Sequence, residues 1–439
     1  MLGALCASAI AVLVLGFFVR TAQAQVGDGP LTDPIDFTAF YCAGRAVAAH
    51  ADPYRVEPLR SCERAALAES HLTAVPNLVV PAPLPPYALT VFTLLSPFSF
   101  RAACTIWLVL LAAATGGSIA LVARLSSQPL VAVFAGLILS EGYASVLIGQ
   151  VVPLVICALC VAAVALRARR YGLTAVAAGA TLVEPHLAVP VCIALGIFVP
   201  RSRRLLAILV VGLAAVSLAA GWPRWLEYVT QVLPAQARGE GLEWDAQYGL
   251  SALTHQLGAA PGFALELGSL SYIAMVVAGV VLANRLARAY GDEAFIALTP
   301  PALALVGGPY VHVHQMAAAI PLAFLLLRHV PRSRAMLLAA ICCLAVPWQS
   351  LTELPAFGFL FSHNHFINPA PFLARVSDPN ALAQAPWNAW IATMGNRDGR
   401  TPLEIVLTKL PTWFGLLALW WCAQRSLAPR ARLRAAASA

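Results

Sequence analysis

Charge is what this chain has least of. Only 11% of its 439 residues are Asp, Glu, Lys or Arg, and Lys409 is the only lysine. Soluble domains carry about 25% charged residues. A chain that is 60% hydrophobic, with a mean hydropathy of +0.77, cannot cover itself with a polar surface and must use lipid as solvent. No soluble domain of ordinary size fits between its apolar runs. That excludes a cytoplasmic domain able to bind a nucleotide sugar, and the loops hold no Asp-x-Asp metal pair. Basic stripes interleaved with aromatics are absent, which excludes nucleic acid as a partner. So are internal repeats of the kind that mark many transporters. The ten cysteines show no metal-ligand spacing, so neither a metal nor a cofactor is expected.

What is present is a series of apolar runs, about a dozen, each near the roughly 20 residues that a crossing needs. The expected fold class is an all-α polytopic membrane protein, a bundle of about 11–12 transmembrane or re-entrant helices with large outer loops. Residues 1–439 read as a single membrane domain. The formal charge of +8 sits in short turns and at the tail, and the positive-inside rule then sets the orientation. Residues 25–82 become a first outer loop, with amphipathic helices at 36–50 and 58–70 lying along the membrane. Residues 223–266 form a middle outer loop, 351–403 a late one, and 425–439 a basic cytoplasmic tail. Spans are expected near 87–100, 102–123, 205–222, 268–284, 293–309, 335–350 and 404–424.

The stretch 126–204 is irregular. Arg167, Arg169 and Arg170 read as cytoplasmic, as do Arg201, Arg203 and Arg204. The chain between them then dips in and returns as two short helices, interrupted at Glu184-Pro185-His186. Irregular backbone at that depth is tolerated only where it lines a cavity or is buried in protein. Gly149-Gln150 is a similar interruption. Segment 2–19 is apolar and is followed by Ala22-Gln23-Ala24, which has the form of a signal-peptidase site. Without a basic n-region, a retained helix is expected. Cys42 and Cys62 share the first outer loop, where a disulfide and plain packing both stand open.

Asp36 is the first candidate for chemistry. A carboxylate at the mouth of an apolar cavity can have its pKa raised, or be held ionised by Arg45 or a hydroxyl. Either state suits a general base acting on a sugar hydroxyl. The alternative is a helix cap for the segment that begins at Phe37. Glu184 and His186 are ionisable groups within a membrane segment, a functional signal by default; a hairpin tip reaching water is the alternative. Gln150 either binds a sugar hydroxyl or holds helices together. His312 and His314 stand two apart, a spacing that shares a face in a loop but not on a helix. Tyr41, Tyr54, Trp244 and Trp387 read as interface anchors. Glu141 is a secondary candidate, and His363 and His365 read as surface residues.

The first loop reads Asp36-Phe-Thr-Ala-Phe-Tyr41-Cys-Ala-Gly-Arg45-Ala, then Ala51-Asp52-Pro53-Tyr54. This resembles the first outer loop of glycosyltransferase family 87, polyprenyl-phosphate-mannose-dependent proteins of the GT-C superfamily. The resemblance continues in order through Pro85-Pro86-Tyr87, Ser96-Pro97, Gly149-Gln150, Gln247-Tyr248-Gly249-Leu250-Ser251 and Pro309-Tyr310-Val311-His312, over roughly residues 30–330. It implies an inverting transfer of mannose or another hexose from a polyprenyl-phosphate donor to a lipid or glycan acceptor. Transfer would occur at the outer face of a bacterial inner (plasma) membrane, with membrane lipid as a further partner. By the same resemblance Asp36 is the base and His312 or His314 lies near the donor phosphate. Tyr41, Arg45, Gln150, Glu184, His186 and Gln247 complete the candidate substrate-binding set. The chain departs from the family at Glu184-Pro185-His186, where many members carry Lys-Pro. A proton-coupled transporter or flippase, and a glycan polymerase or ligase using Arg375, Arg397 and Arg400, are the alternative readings.

Overall fold

The computed structural model describes residues 34–69, 77–146, 148–218, 221–243, 247–346, 348, 378–394 and 402–427. The expectations for segment 2–19, Trp244, His363, His365, Arg375, Arg397 and Arg400 fall outside these residues, as does the side chain of Glu141. Among the described residues the fold is all helical. Its extended contacts are isolated bridges, Arg55 with Leu382 and Gln247 with His312.

Two helices among them are long and apolar enough to cross a membrane unbroken, Phe100–Ser126 and Pro261–Tyr290. At about 1.5 Å per residue each exceeds the hydrocarbon thickness. On the second, Leu270, Ile273, Val277 and Val281 are exposed at helical spacing. A continuous apolar stripe turned outward is a lipid-facing surface. This is a membrane protein.

The span expected near 404–424 is one helix, Pro402–Arg425, whereas those expected near 87–100 and 293–309 resolve into the shorter helices Pro86–Leu95 and Ala294–Ala304. Backbone chemistry accounts for the breaks. The run expected over 87–100 starts on Pro86 and leaves the helix beyond Leu95, before Ser96-Pro97. The span expected near 205–222 ends at Ser217, and the chain turns by 105° into the next helical segment. Tyr171–Ala180 and Pro185–Phe198 are two short helices that meet at Glu184, where φ and ψ leave the helical region. The two short helices expected between the two arginine clusters are present.

The helix Ile35–Ala48 does not lie along a surface. It buries Phe37 through Gly44, with Phe37 and Tyr41 packed against Phe100 and Phe37 stacked 5.6 Å from Trp107. The neighbouring helix Val56–Glu69 is tied to it by a disulfide between Cys42 and Cys62. Two polar clusters fasten the ends of the fold. At one, Arg167 holds Asp292 at 2.7 and 2.5 Å and His329 Nε2 lies 2.9 Å from the same carboxylate. At the other, Arg55 and Arg224 pair with both Asp52 and Glu227. Backbone bonds join this second cluster to the late segment: Val56 N–H donates to Ala381 at 2.9 Å and Ala383 N–H to Tyr54 at 2.9 Å. Segments from 34–69, 221–243 and 378–394 thus share one end of the bundle.

Candidate functional site

Asp36 sits in the first turn of Ile35–Ala48, yet it does not cap that helix. The cap position is Pro34, and no side chain caps the end. The Asp36 carboxylate is therefore left for tertiary partners, and Gln150 Nε2 donates to its Oδ2 at 2.5 Å. Gly149 makes this approach possible. Its φ of +78° lies in the left-handed region, and a Cβ there would meet Phe37 Cβ at 2.5 Å and Pro34 Cβ at 2.9 Å. Only glycine combines that backbone with that closeness. The turn is fixed from behind by Trp107, whose indole N–H donates to the Gly149 carbonyl at 2.8 Å.

Three further ionisable groups interact electrostatically with Asp36. His312 and Glu240 act on its charge across space, and Asp36 acts in turn on Glu184. His186 Nδ1 lies 3.2 Å from the Glu184 carboxylate. The His312 and His314 rings stack at 4.8 Å, nearly parallel. The segment carrying them is extended at His312, so residues two apart can share a side. Gln247 is the bridge partner of His312; its Oε1 accepts from Val311 N–H at 3.1 Å, and its Nε2 is buried with no hydrogen-bond partner among the described residues.

Removal from water dominates the electrostatics of Asp36. Burial raises its pKa to about 7, with Glu240 adding to the rise while the Gln150 hydrogen bond and His312 oppose it. Asp36 as a whole residue is half-buried. Such a group exchanges protons near neutrality, as a general base must.

Two expected site residues belong elsewhere. Tyr41 is buried, and its hydroxyl donates to the Phe98 carbonyl at 2.8 Å. Arg45 is exposed at the far end of the helix, its guanidinium 5.8 Å from the Tyr41 ring centre. Nine residues of helix separate Arg45 from Asp36, about 13 Å along the axis, so Arg45 does not hold Asp36 ionised. Trp387 is not a plain interface anchor either, because its indole is buried against Glu240.

Glu240 is the residue that sequence reasoning missed; it is one of several acids in the stretch 223–266. It accepts from Tyr310 OH at 2.9 Å and from Trp387 Nε1 at 2.8 Å, and it pairs with Gln236 Nε2 and His312 Nε2. Burial alone would raise its pKa. The hydrogen bond and charge of His312 and the hydrogen bonds of Trp387 and Tyr310 outweigh that, and the carboxyl is held below its usual range. Only Gln236, four residues away, was legible as a partner. The other donors come from distant segments. Among the described residues, no three His, Cys, Asp or Glu side chains form a group that could hold a metal ion.

An all-helical bundle with lipid-facing stripes, carrying a desolvated carboxylate beside an amide and imidazoles, is a membrane protein with a buried polar site. Residues 84–307, just over half of the chain, match the model of Glycosyltransferase family 87. The chain belongs to that family and is a membrane glycosyltransferase. The matched stretch includes Gln150, Glu184, His186, Glu240 and Gln247, while Asp36, His312 and His314 lie outside it. No curated protein and no solved structure matches the chain.

Proposed function

We propose that the protein moves a hexose, mannose first among the candidates, from a polyprenyl-phosphate donor to a hydroxyl of a lipid or glycan acceptor. Asp36 is the general base. The acceptor oxygen gives its proton to the Asp36 carboxylate and bonds to the anomeric carbon. The bond from that carbon to the phosphate oxygen breaks on the opposite side, and its electron pair leaves with the phosphate. One displacement inverts the anomeric centre and needs no covalent enzyme intermediate. Gln150 orients the base, and the imidazole pair of His312 and His314 lies toward the departing phosphate, where a ring N–H can donate to it. Glu184 and His186 bind sugar hydroxyls.

The observation that carries this reading is Asp36 itself, out of water, hydrogen-bonded by Gln150 and poised at a pKa of about 7. The disulfide between Cys42 and Cys62 supports an oxidising compartment for the end of the bundle where Asp36 lies. That agrees with an inner (plasma) membrane enzyme working from the periplasmic or exterior side. The test is transfer of label from radiolabelled polyprenyl-phosphate-mannose to extracted membrane lipids, by the purified full-length chain in liposomes. Transfer by the wild type and its loss in Asp36→Asn is the expected result. An Asp36→Asn variant as active as the wild type would remove Asp36 from the mechanism.

A further inference from the structure

The last helix, Pro402–Arg425, packs against Arg334–Ala345. Gly415 marks their close approach, since a Cβ there would meet Cys343 Cβ and Leu344 Cγ at 3.0 Å. Further along, the Cys422 side chain meets the Ser333 hydroxyl. The two helices are therefore antiparallel. Their Cys422 end lies at the Asp292 end of the bundle. There the Tyr290 hydroxyl is 3.5 Å from the Ser426 carbonyl, and the Tyr290 ring packs on His329, which bonds to Asp292.

A cleft of about 510 Å³, lined by Met336, Phe414, Leu417, Trp421 and Gln424 among others, runs along the outer side of this pair. Leu410, Phe414, Leu417 and Trp421 are exposed at helical spacing, so the cleft opens on a lipid-facing stripe. Its volume falls within the roughly 300–1,000 Å³ of small-molecule sites. From Phe414 to Gln424 the helix rises about 15 Å. That is half of a hydrocarbon core about 30 Å thick, the depth of one leaflet.

The rim at the Gln424 end is basic. The Arg425 guanidinium lies 5.0 Å from the centre of the Trp421 ring, on the wall of the cleft. Arg332 and Arg334 flank Ser333, the residue that meets Cys422. All three arginines are exposed, and none forms an ion pair among the described residues. Asp292, an acid of this end, is already held by Arg167 and His329. An apolar floor one leaflet deep under unpaired guanidiniums is complementary to a lipid with an acyl chain and an anionic phosphate. A zwitterionic headgroup fits less well, because its own cation meets the arginines.

We propose that this cleft binds one anionic phospholipid of the surrounding bilayer, in the leaflet at the arginine-rich end, with an acyl chain along Phe414, Leu417 and Trp421 and its phosphate at Arg334 and Arg425. By the positive-inside rule that leaflet is the cytoplasmic one. The site is separate from Asp36 and does not depend on the reaction assigned there.

Native mass spectrometry of the detergent-purified full-length chain tests this, with phosphatidylglycerol or phosphatidylcholine added singly. One phosphatidylglycerol should be retained on the order of 10-fold more tightly than phosphatidylcholine. Arg334→Gln combined with Arg425→Gln should bring it down to the phosphatidylcholine level. Met336→Trp, which fills the cleft from an exposed position, should weaken phosphatidylglycerol by a similar factor. Equal retention of the two lipids by the wild type, or a preference that Met336→Trp leaves untouched, would overturn the proposal. So would polyprenyl phosphate displacing phosphatidylglycerol, a dimer mass abolished by Met336→Trp, or a gain in lipid binding when residues 428–439 are removed, since each points to another occupant. If a variant does not fold, the unaltered chain still decides the matter. Phosphatidylglycerol with brominated acyl chains should quench its tryptophan fluorescence more than brominated phosphatidylcholine at equal mole fraction, because Trp421 lines the cleft. Equal quenching overturns the proposal.

Discussion

Gln150 reaches Asp36 across 114 residues of chain, its amide donating at 2.5 Å to a carboxylate that has little water around it. The bond favours the ionised form, while burial opposes it more strongly. The balance leaves Asp36 at about 7. A base must be deprotonated to act, so transfer should rise with pH through about 7 and level off above it. Replacing Gln150 with Leu removes a stabiliser of the anion, and the rise should move to higher pH. Rate profiles over pH 5–9 in sealed liposomes, with donor saturating, check both the inflection and its shift.

Asp36→Asn should lower transfer roughly 10²–10⁴-fold. It should also make the protein more stable above neutrality. The folded pKa of about 7 lies above the reference value of 3.8, so the folded state binds the proton more tightly. Stability therefore falls as pH rises between those two values. Below about 4 the group is protonated in both states and the variant gains nothing. Thermal unfolding at pH 5 and pH 8 should show the variant's advantage growing with pH. A constant difference would remove the argument from desolvation.

Gly149→Ala tests whether closeness at the turn is what seats the base. The added methyl meets Phe37 and Pro34 and sits on a left-handed backbone. The expected destabilisation is about 1–3 kcal/mol. Activity should fall further than stability does, because the clash pushes Gln150 away from Asp36. Melting temperature and transfer rate, measured on one preparation, separate the two effects.

Asp292 offers a prediction at the opposite end of the bundle. Burial would raise its pKa, but His329, Arg167 and the Ala294 backbone N–H outweigh that and hold it well below the ordinary carboxylate range. A depressed folded pKa contributes stability above the unfolded value of 3.8, lost as pH falls further. Asp292→Asn should therefore destabilise at pH 7, by about 1–3 kcal/mol, and the difference should shrink in acid. Transfer by the folded variant should be unchanged at saturating donor, because this cluster lies outside the Asp36 site.

Reduction of Cys42–Cys62 is the simplest test of compartment and constraint. The bridge spans 20 residues, and closing a loop of that size typically contributes about 3 kcal/mol. Thiol labelling should leave both residues unmodified until a reductant is added, and melting should then occur at lower temperature. Labelling of Cys42 without reductant would show that the bridge does not form.

The fold class was legible because hydropathy reports lipid exposure directly. The count of crossings was not. Pro86, Ser96-Pro97, Gly149 and Glu184 each interrupt an apolar run, and window averages pass over such interruptions. At the site, Asp36, Gln150, Glu184, His186, His312 and His314 stood out because polar groups are rare in apolar surroundings. The structure links them in pairs: Gln150 bonds to Asp36, the charges of His312 and Glu184 interact with it, His186 meets Glu184 and His314 stacks on His312. Glu240 did not stand out, since an acid in an acidic loop is unremarkable until its partners from 310, 312 and 387 are in place. Arg45 misled for a related reason: it is near Asp36 in sequence, and only the rise of the helix shows how far apart they are.

The hydrogen bond from Arg55 to the Asn380 carbonyl closes a gap of 325 residues. A ribosome makes the first of these partners early and the second much later. The nascent helix that carries Asp36 must therefore wait, already docked on its aromatic neighbours, while most of the bundle is inserted. Until residues near 380 arrive, Glu240 lacks Trp387 and the end of the bundle stays unfastened. An unfinished chain would thus be unable to transfer a sugar, and competence would come only with near-complete synthesis.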